Sequence, residues 1–195
     1  MRNFFYICAK LLGFSLFKIL FDWEIKGKEN IPRKGGFIIA SNHLSYLDPP
    51  IIGVASPRKV HYLAKSSLFQ IPVLNFLIKI YGAIPIEREK EYSISIKKGI
   101  EILKKGEGLV IFPEGTRNPE GNIEMPKKGV SFLAYKTGVP VIPTKLKGTE
   151  KALPKGKKFL KPAKVKVIFG SSIKVENNDY INQANRIMKI IKELN

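Results

Sequence analysis

Two short segments carry residue types that can do chemistry. The first is Asn42-His43-Leu44-Ser45-Tyr46-Leu47-Asp48, where a histidine and a carboxylate stand five positions apart after an apolar run. On a continuous helix that spacing puts the two side chains about 140° apart, and Pro49 and Pro50 discourage a helix through the whole segment. A tight turn can instead bring Asp48 back to His43. An aspartate on one ring nitrogen fixes the tautomer and stabilises the imidazolium, leaving the other nitrogen to accept a proton. Asp48 also has a plainer reading, because an acid before Pro-Pro is a good helix N-cap and Ser45 three residues earlier suits a capping turn. The chain holds two histidines. His43 lies in a polar loop after a strand, where function concentrates. His61 lies in an apolar strand and reads as structural.

The second segment is Phe112-Pro113-Glu114-Gly115-Thr116-Arg117. Gly115 lets the backbone turn and present N–H groups, and Arg117 offers a planar donor fork suited to a phosphate. A surface turn with an Arg–Glu pair would have the same composition. Two further blocks are bland by themselves: Gly82–Arg88, a strand ending in arginine, and Val139–Thr144, a buried strand stiffened by two prolines.

Together, in this order, the four blocks resemble the lysophosphatidic acid acyltransferase family of the glycerolipid acyltransferases. NHLSYLD matches its His-x4-Asp block, GAIPIER its strand-then-Arg block, FPEGTR its Pro-Glu-Gly-Thr-Arg block and VPVIPT its proline-rich strand. The similarity runs from about Trp23 to Phe169. Asn118, where a serine commonly follows, and Met125-Pro126, where an aromatic residue is usual, depart from the pattern.

The resemblance implies an α/β fold with a mixed central sheet flanked by helices. It implies transfer of a fatty acyl group from acyl-CoA or acyl carrier protein to the sn-2 hydroxyl of lysophosphatidic acid, without cofactor or metal. His43 would be the base and Asp48 its partner. Glu114, Gly115, Thr116 and Arg117 would form the acceptor site, with Lys65 and Arg88 adding charge. Glu114 would accept from the glycerol hydroxyls or orient an arginine. Another lyso-lipid acceptor fits the same blocks.

The elements that must position these groups alternate between strands and helices, which predicts a layered α/β domain over residues 23–195. Strands are expected at 23–27, 36–41, 60–64, 83–86, 108–113, 139–146 and 163–170. Helices are expected from Asp48, over 90–105, over 129–137 and over 178–194. An apolar stretch capped by Ser67 runs to Tyr81. Residues 1–22 form a separate segment. Of the 18 residues from Phe4 to Phe21, 14 are apolar, and as a helix they would reach about 27 Å, short of a membrane core. With Lys10 and Lys18 on one half and Leu12, Leu16 and Ile19 on the other, the helix suits a membrane interface, lysines reaching for headgroups. Packing on the protein's own core is the alternative.

The 195 residues carry 34 Lys+Arg against 16 Asp+Glu, a net +18, yet are 44% hydrophobic. That composition excludes a disordered polycation, and the single cysteine excludes an internal disulfide. Ten lysines and one acid fall within residues 145–174, where Gly148, Pro154, Gly156 and Pro162 suggest much loop. An anionic membrane surface, at the cytoplasmic face of the cell membrane, suits this charge. So does an acidic carrier protein. A basic nucleic-acid-binding protein is the alternative of another class, but the chain shows no nucleic-acid-reading motif and no aromatics interleaved with the lysines, so nucleic acid is not expected as a partner.

Overall fold

A computed structural model of the chain describes residues 2–65, 69–70, 82–86, 91–118, 125–154, 156–157 and 159–195, and describes no side chains at 2–9, 64–65, 85–86 and 91–92. The apolar stretch expected over 67–81 lies largely outside these residues, and so does Arg88.

The elements run α1 (Arg2–Leu20), β1 (Phe21–Lys26), β2 (Phe37–Ser41), α2 (Asp48–Ala55), β3 (Val60–Lys65), β4 (Ala83–Ile86), α3 (Glu91–Lys104), β5 (Gly108–Ile111), α4 (Gly129–Thr137), β6 (Val141–Lys147), α5 (Thr149–Ala152), β7 (Ala163–Phe169) and α6 (Tyr180–Glu193). The seven strands form one mixed sheet in the order β1-β7-β6-β2-β5-β3-β4. Strands β2 to β6 are mutually parallel, β7 runs antiparallel to β6, and β1 is parallel to β7. Strand β4, with Pro85, is the edge strand that its proline requires. Strand β5 stops at Ile111, two residues short of the expected end. The one-turn α5 has no hydrophobic period and is not foreseen from the sequence.

Central strand β2 is buried throughout, as a continuous apolar run in a doubly covered parallel sheet should be. Its side chains alternate between two cores. Phe37 and Ile39 meet Phe17 of α1 and Ile51, Ile52 and Val54 of α2 on one face. Ile38 and Ala40 meet Leu103 of α3, Leu133 of α4 and Ile187 and Ile191 of α6 on the other. Gly108 pairs with Phe37, and a Cβ there would come within 2.4 Å of the Phe37 ring, so only glycine lets that ring lie across β5.

Helix α1 is apolar on two sides, and they do different work. Gly13 and Phe17 are buried, with Phe17 stacked between Phe21 and Trp23 at centroid distances of 5.7 and 5.4 Å. Leu12 and Ile19 are 72% and 82% exposed, and Leu11 and Leu16 are exposed beside them. Lys10 does not reach outward. It donates to the carbonyl of Ser56 at the end of α2, and burial, with Lys28 nearby, lowers its pKa. Among the described residues no helix is long and apolar enough to cross a membrane.

Candidate active site

Because β2 to β6 run parallel, the segments that follow them emerge along one edge of the sheet, where ligands bind in open α/β folds. Residues 42–48 leave β2 there, Phe112–Arg117 leave β5, and Lys147 ends β6. Lys65 ends β3 and pairs with Ile86 of β4 at that edge; its side chain and Arg88 are outside the described residues.

The turn after β2 closes on itself. His43 Nδ1 lies 2.8 Å from Asp48 Oδ2. The same oxygen accepts the backbone N–H groups of Leu44 at 2.6 Å and Ser45 at 2.8 Å. Asp48 is fully buried. It is the first residue of α2, whose N-cap position belongs to Leu47 with no side-chain cap. The carboxylate therefore points back into the turn and does not cap the helix. The Asp48 N–H, in turn, donates to the Ser45 carbonyl at 3.2 Å. The His43 ring, 17% exposed, stacks on Phe112 with centroids 4.0 Å apart, and its Nε2 has no hydrogen-bond partner among the described residues.

The turn after β5 is fastened to this one. Glu114 is buried, 7% exposed, and its Oε1 accepts the His43 N–H at 3.1 Å. Besides the contact with glycerol hydroxyls or an arginine expected from the sequence, this acid holds the backbone of the histidine. The Asn118 N–H donates to the His43 carbonyl at 2.6 Å. Arg117 lies over the Tyr46 ring, 3.4 Å from its centroid, and donates through Nη2 to the Tyr46 hydroxyl at 2.8 Å. Gly115 has φ +71°, and Lys127 covers the position where a Cβ would stand, its Nζ 2.7 Å away. Gly115 and Thr116 are exposed at the rim.

Four residues with no assigned role in the sequence reading thus belong to the site. Phe112 sets the plane of the imidazole, Tyr46 seats Arg117, and Lys127 brings a cation to Gly115. Asn42 clamps the turn to β6, with Nδ2 donating to the Leu146 carbonyl at 3.0 Å and Oδ1 accepting the Leu146 N–H at 2.8 Å. Their common signal is adjacency to the two segments, but each contact spans more than twenty residues of sequence or links separate turns. His61 is structural: Nδ1 lies 3.2 Å from the Gly82 carbonyl and Nε2 lies 2.9 Å from Glu107.

An imidazole with one nitrogen on a buried carboxylate and the other without a partner among the described residues, beside Arg117 and Lys127 at the carboxyl edge of the sheet, can accept a proton next to a cationic turn. The profile of the family described as Acyltransferase matches residues 22–147, and the chain belongs to the acyltransferase family. It is 33% identical over 174 residues to the 1-acyl-sn-glycerol-3-phosphate acyltransferase of Bacillus subtilis, covering 88% of this chain and 84% of that one. It is 34% identical over 176 residues to a chloroplastic 1-acyl-sn-glycerol-3-phosphate acyltransferase of Brassica napus, but spans only 51% of that relative's length. The crystal structure of the 1-acyl-sn-glycerophosphate acyltransferase of Thermotoga maritima superposes with a TM-score of 0.81 at 29% identity, covering 98% of this chain and 78% of that one.

Proposed function

We propose that the protein moves a fatty acyl group from a thioester to the sn-2 hydroxyl of 1-acyl-glycerol-3-phosphate, giving phosphatidic acid for phospholipid synthesis. The observation that carries this is the open Nε2 of a histidine whose Nδ1 rests on the buried Asp48. The family and the printed activities of its relatives supply the reaction class.

A hydroxyl is a poor nucleophile near neutral pH and needs a base as it attacks the thioester carbonyl. His43 Nε2 accepts that proton. Asp48 holds Nδ1–H and stabilises the imidazolium, while Phe112 fixes the ring plane. The tetrahedral intermediate collapses by expelling the thiolate, which takes the proton back from Nε2. No acyl-enzyme is formed, so Cys8 is not needed as a carrier. Arg117 and Lys127 supply charge for the acceptor phosphate, and the family resemblance adds Lys65 and Arg88.

The reaction is placed at the cytoplasmic face of an anionic membrane, the source of the lipid acceptor. Support comes from the exposed face of α1, with Leu11, Leu12, Leu16 and Ile19, which suits an interfacial helix. Exposed Phe159 and the lysines around it add a second apolar tip on a basic surface.

The test is an acyl-transfer assay with lysophosphatidic acid and both acyl-CoA and acyl carrier protein donors, with other lysophospholipids as parallel acceptors and His43→Ala alongside. Phosphatidic acid from the wild type alone is expected. No transfer from either donor, or full transfer by the folded variant, overturns the reading.

A further inference from the structure

A groove of about 610 Å³ runs along the carboxyl edge next to the catalytic turn, between the end of β6, α5 and the start of β7. Its lining includes Leu44, the residue after His43, together with Lys147, Lys151, Lys164 and Lys166. Two of these cations are already balanced by β1: Lys166 lies 2.5 Å from Glu24 and Lys164 lies 3.4 Å from Asp22. Lys147 and Lys151 have no ion pair among the described residues, and Glu150 is the one acid in the lining.

The groove is held rigidly against His43. Asn42 clamps Leu146, the residue before Lys147, by both its backbone groups. Ser45 Oγ donates to the Leu153 carbonyl just beyond α5 at 3.0 Å. Asn42, just before the catalytic histidine, and Ser45, two residues after it, thus each fasten one wall. Gly148, with φ +86°, presses the β6–α5 joint onto β7, since a Cβ there would come within 1.9 Å of the Lys164 carbonyl.

A thioester must deliver its carbonyl to His43 while its thiol arm trails away. In both coenzyme A and acyl carrier protein that arm is phosphopantetheine, so an anionic phosphate follows the reacting carbon at the end of a flexible arm. We infer that this groove holds the phosphate of the donor's phosphopantetheine arm, with Lys147 and Lys151 as its cations. The inference rests on the acyl-transfer reading and adds to it the path by which the donor enters.

The experiment compares palmitoyl-phosphopantetheine with palmitoyl-pantetheine, which lacks the phosphate, in the wild type and in Lys147→Gln/Lys151→Gln. The wild type is expected to prefer the phosphorylated donor, and the double variant to lose about tenfold of that preference in kcat/KM. Acyl-CoA and acyl carrier protein donors should both show the rise in KM, and Lys147→Arg/Lys151→Arg should restore it. Calorimetric binding of free coenzyme A, weakened in the Gln variant, gives a readout that needs no turnover. A rise in the acceptor's KM alone overturns the inference in favour of the acceptor phosphate. A loss confined to the carrier protein overturns it in favour of a protein-contact face, and weaker binding to phosphatidylglycerol vesicles with unchanged donor constants does so in favour of a membrane surface. Weaker coenzyme A binding in the variant of an enzyme that transfers no acyl group would keep the groove and remove the acyl-transfer reading. Efficient transfer indifferent to both lysines would do the reverse.

Discussion

The two histidines and two of the arginines divide between opposite edges of one sheet. At the amino edge, His61 sits between two acceptors, Nδ1 3.2 Å from the Gly82 carbonyl and Nε2 2.9 Å from Glu107, and its neutral ring can donate to only one of them. Arg58 spends its guanidinium on the carbonyls of Pro32 and Gly35 through Nη1 and Gly106 through Nη2, at 2.6–2.8 Å, lacing together the loops before β2 and β5. At the carboxyl edge, His43 Nε2 has no partner among the described residues, and Arg117 rests on an exposed tyrosine beside two exposed rim residues. Residue type is the same at both edges. What differs is where the partners go: at the amino edge, return-loop carbonyls take up the Arg58 guanidinium, while at the carboxyl edge the turns after β2 and β5 are fastened to each other through the His43 backbone and leave its ring edge to the site.

The largest effect should come from His43→Ala, expected to cut acyl transfer by about 10³-fold with little change in Tm; an active, folded variant would erase the distinction between the edges. Asp48→Asn should lower kcat by about 10²-fold. Asp48→Ala should also cost about 2–3 kcal/mol of stability, because the N–H groups of Leu44 and Ser45 lose their acceptor in a buried turn. If both variants lose stability and keep their rate, the aspartate is only a turn-former. At the amino edge the sign of the evidence reverses. Arg58→Ala is expected to lose about 1–2 kcal/mol in urea unfolding while kcat stays at the wild-type value. Arg117→Ala should do the opposite, raising the acceptor KM roughly tenfold with Tm nearly unchanged; unaltered acceptor kinetics would remove Arg117 from the phosphate site.

The smallest effect concerns His61. Burial pushes its pKa below the usual value of about 6.5, and Glu107 opposes this only in part. As pH falls, the unfolded chain therefore takes up the proton first. Stability is full above about pH 6.5 and is lost as pH falls through that value toward the lower folded pKa. His61→Gln should flatten the pH slope of unfolding free energy in this window, and an unchanged slope would show that His61 does not titrate against the fold.

What the chain discloses by sequence follows the range of its contacts. His43 and Asp48 are legible because the turn that joins them is local and the prolines after it forbid a continuous helix. The strands are legible because an apolar run in a parallel sheet has few other destinations. The bond from the His43 N–H to Glu114 is not, because it spans 71 positions and a carboxylate beside a glycine and an arginine does not point to a distant backbone N–H. The lysines of 145–174 read as one basic stretch, yet Lys145, Lys147, Lys164 and Lys166 stand on paired strands, and only the β6–β7 and β1–β7 registers set which of them meet an acid. Helix α1 misleads in a different way. Its hydropathy is apolar on nearly every side, so sequence poses core packing and an interfacial face as rivals, while Phe17 and Ile19 take up opposite positions on the same two turns.

Helix α1 ends at Leu20 and β1 begins at Phe21, with no residue between them. Strand β1 is then bound along all six of its residues to β7. A helix joined in this way is a handle welded to the frame. The weld fixes the direction of α1 relative to β1, and through that register relative to β7. Inserting a few glycines between Leu20 and Phe21 would turn the weld into a swivel and free the exposed face of α1 from the orientation of the sheet.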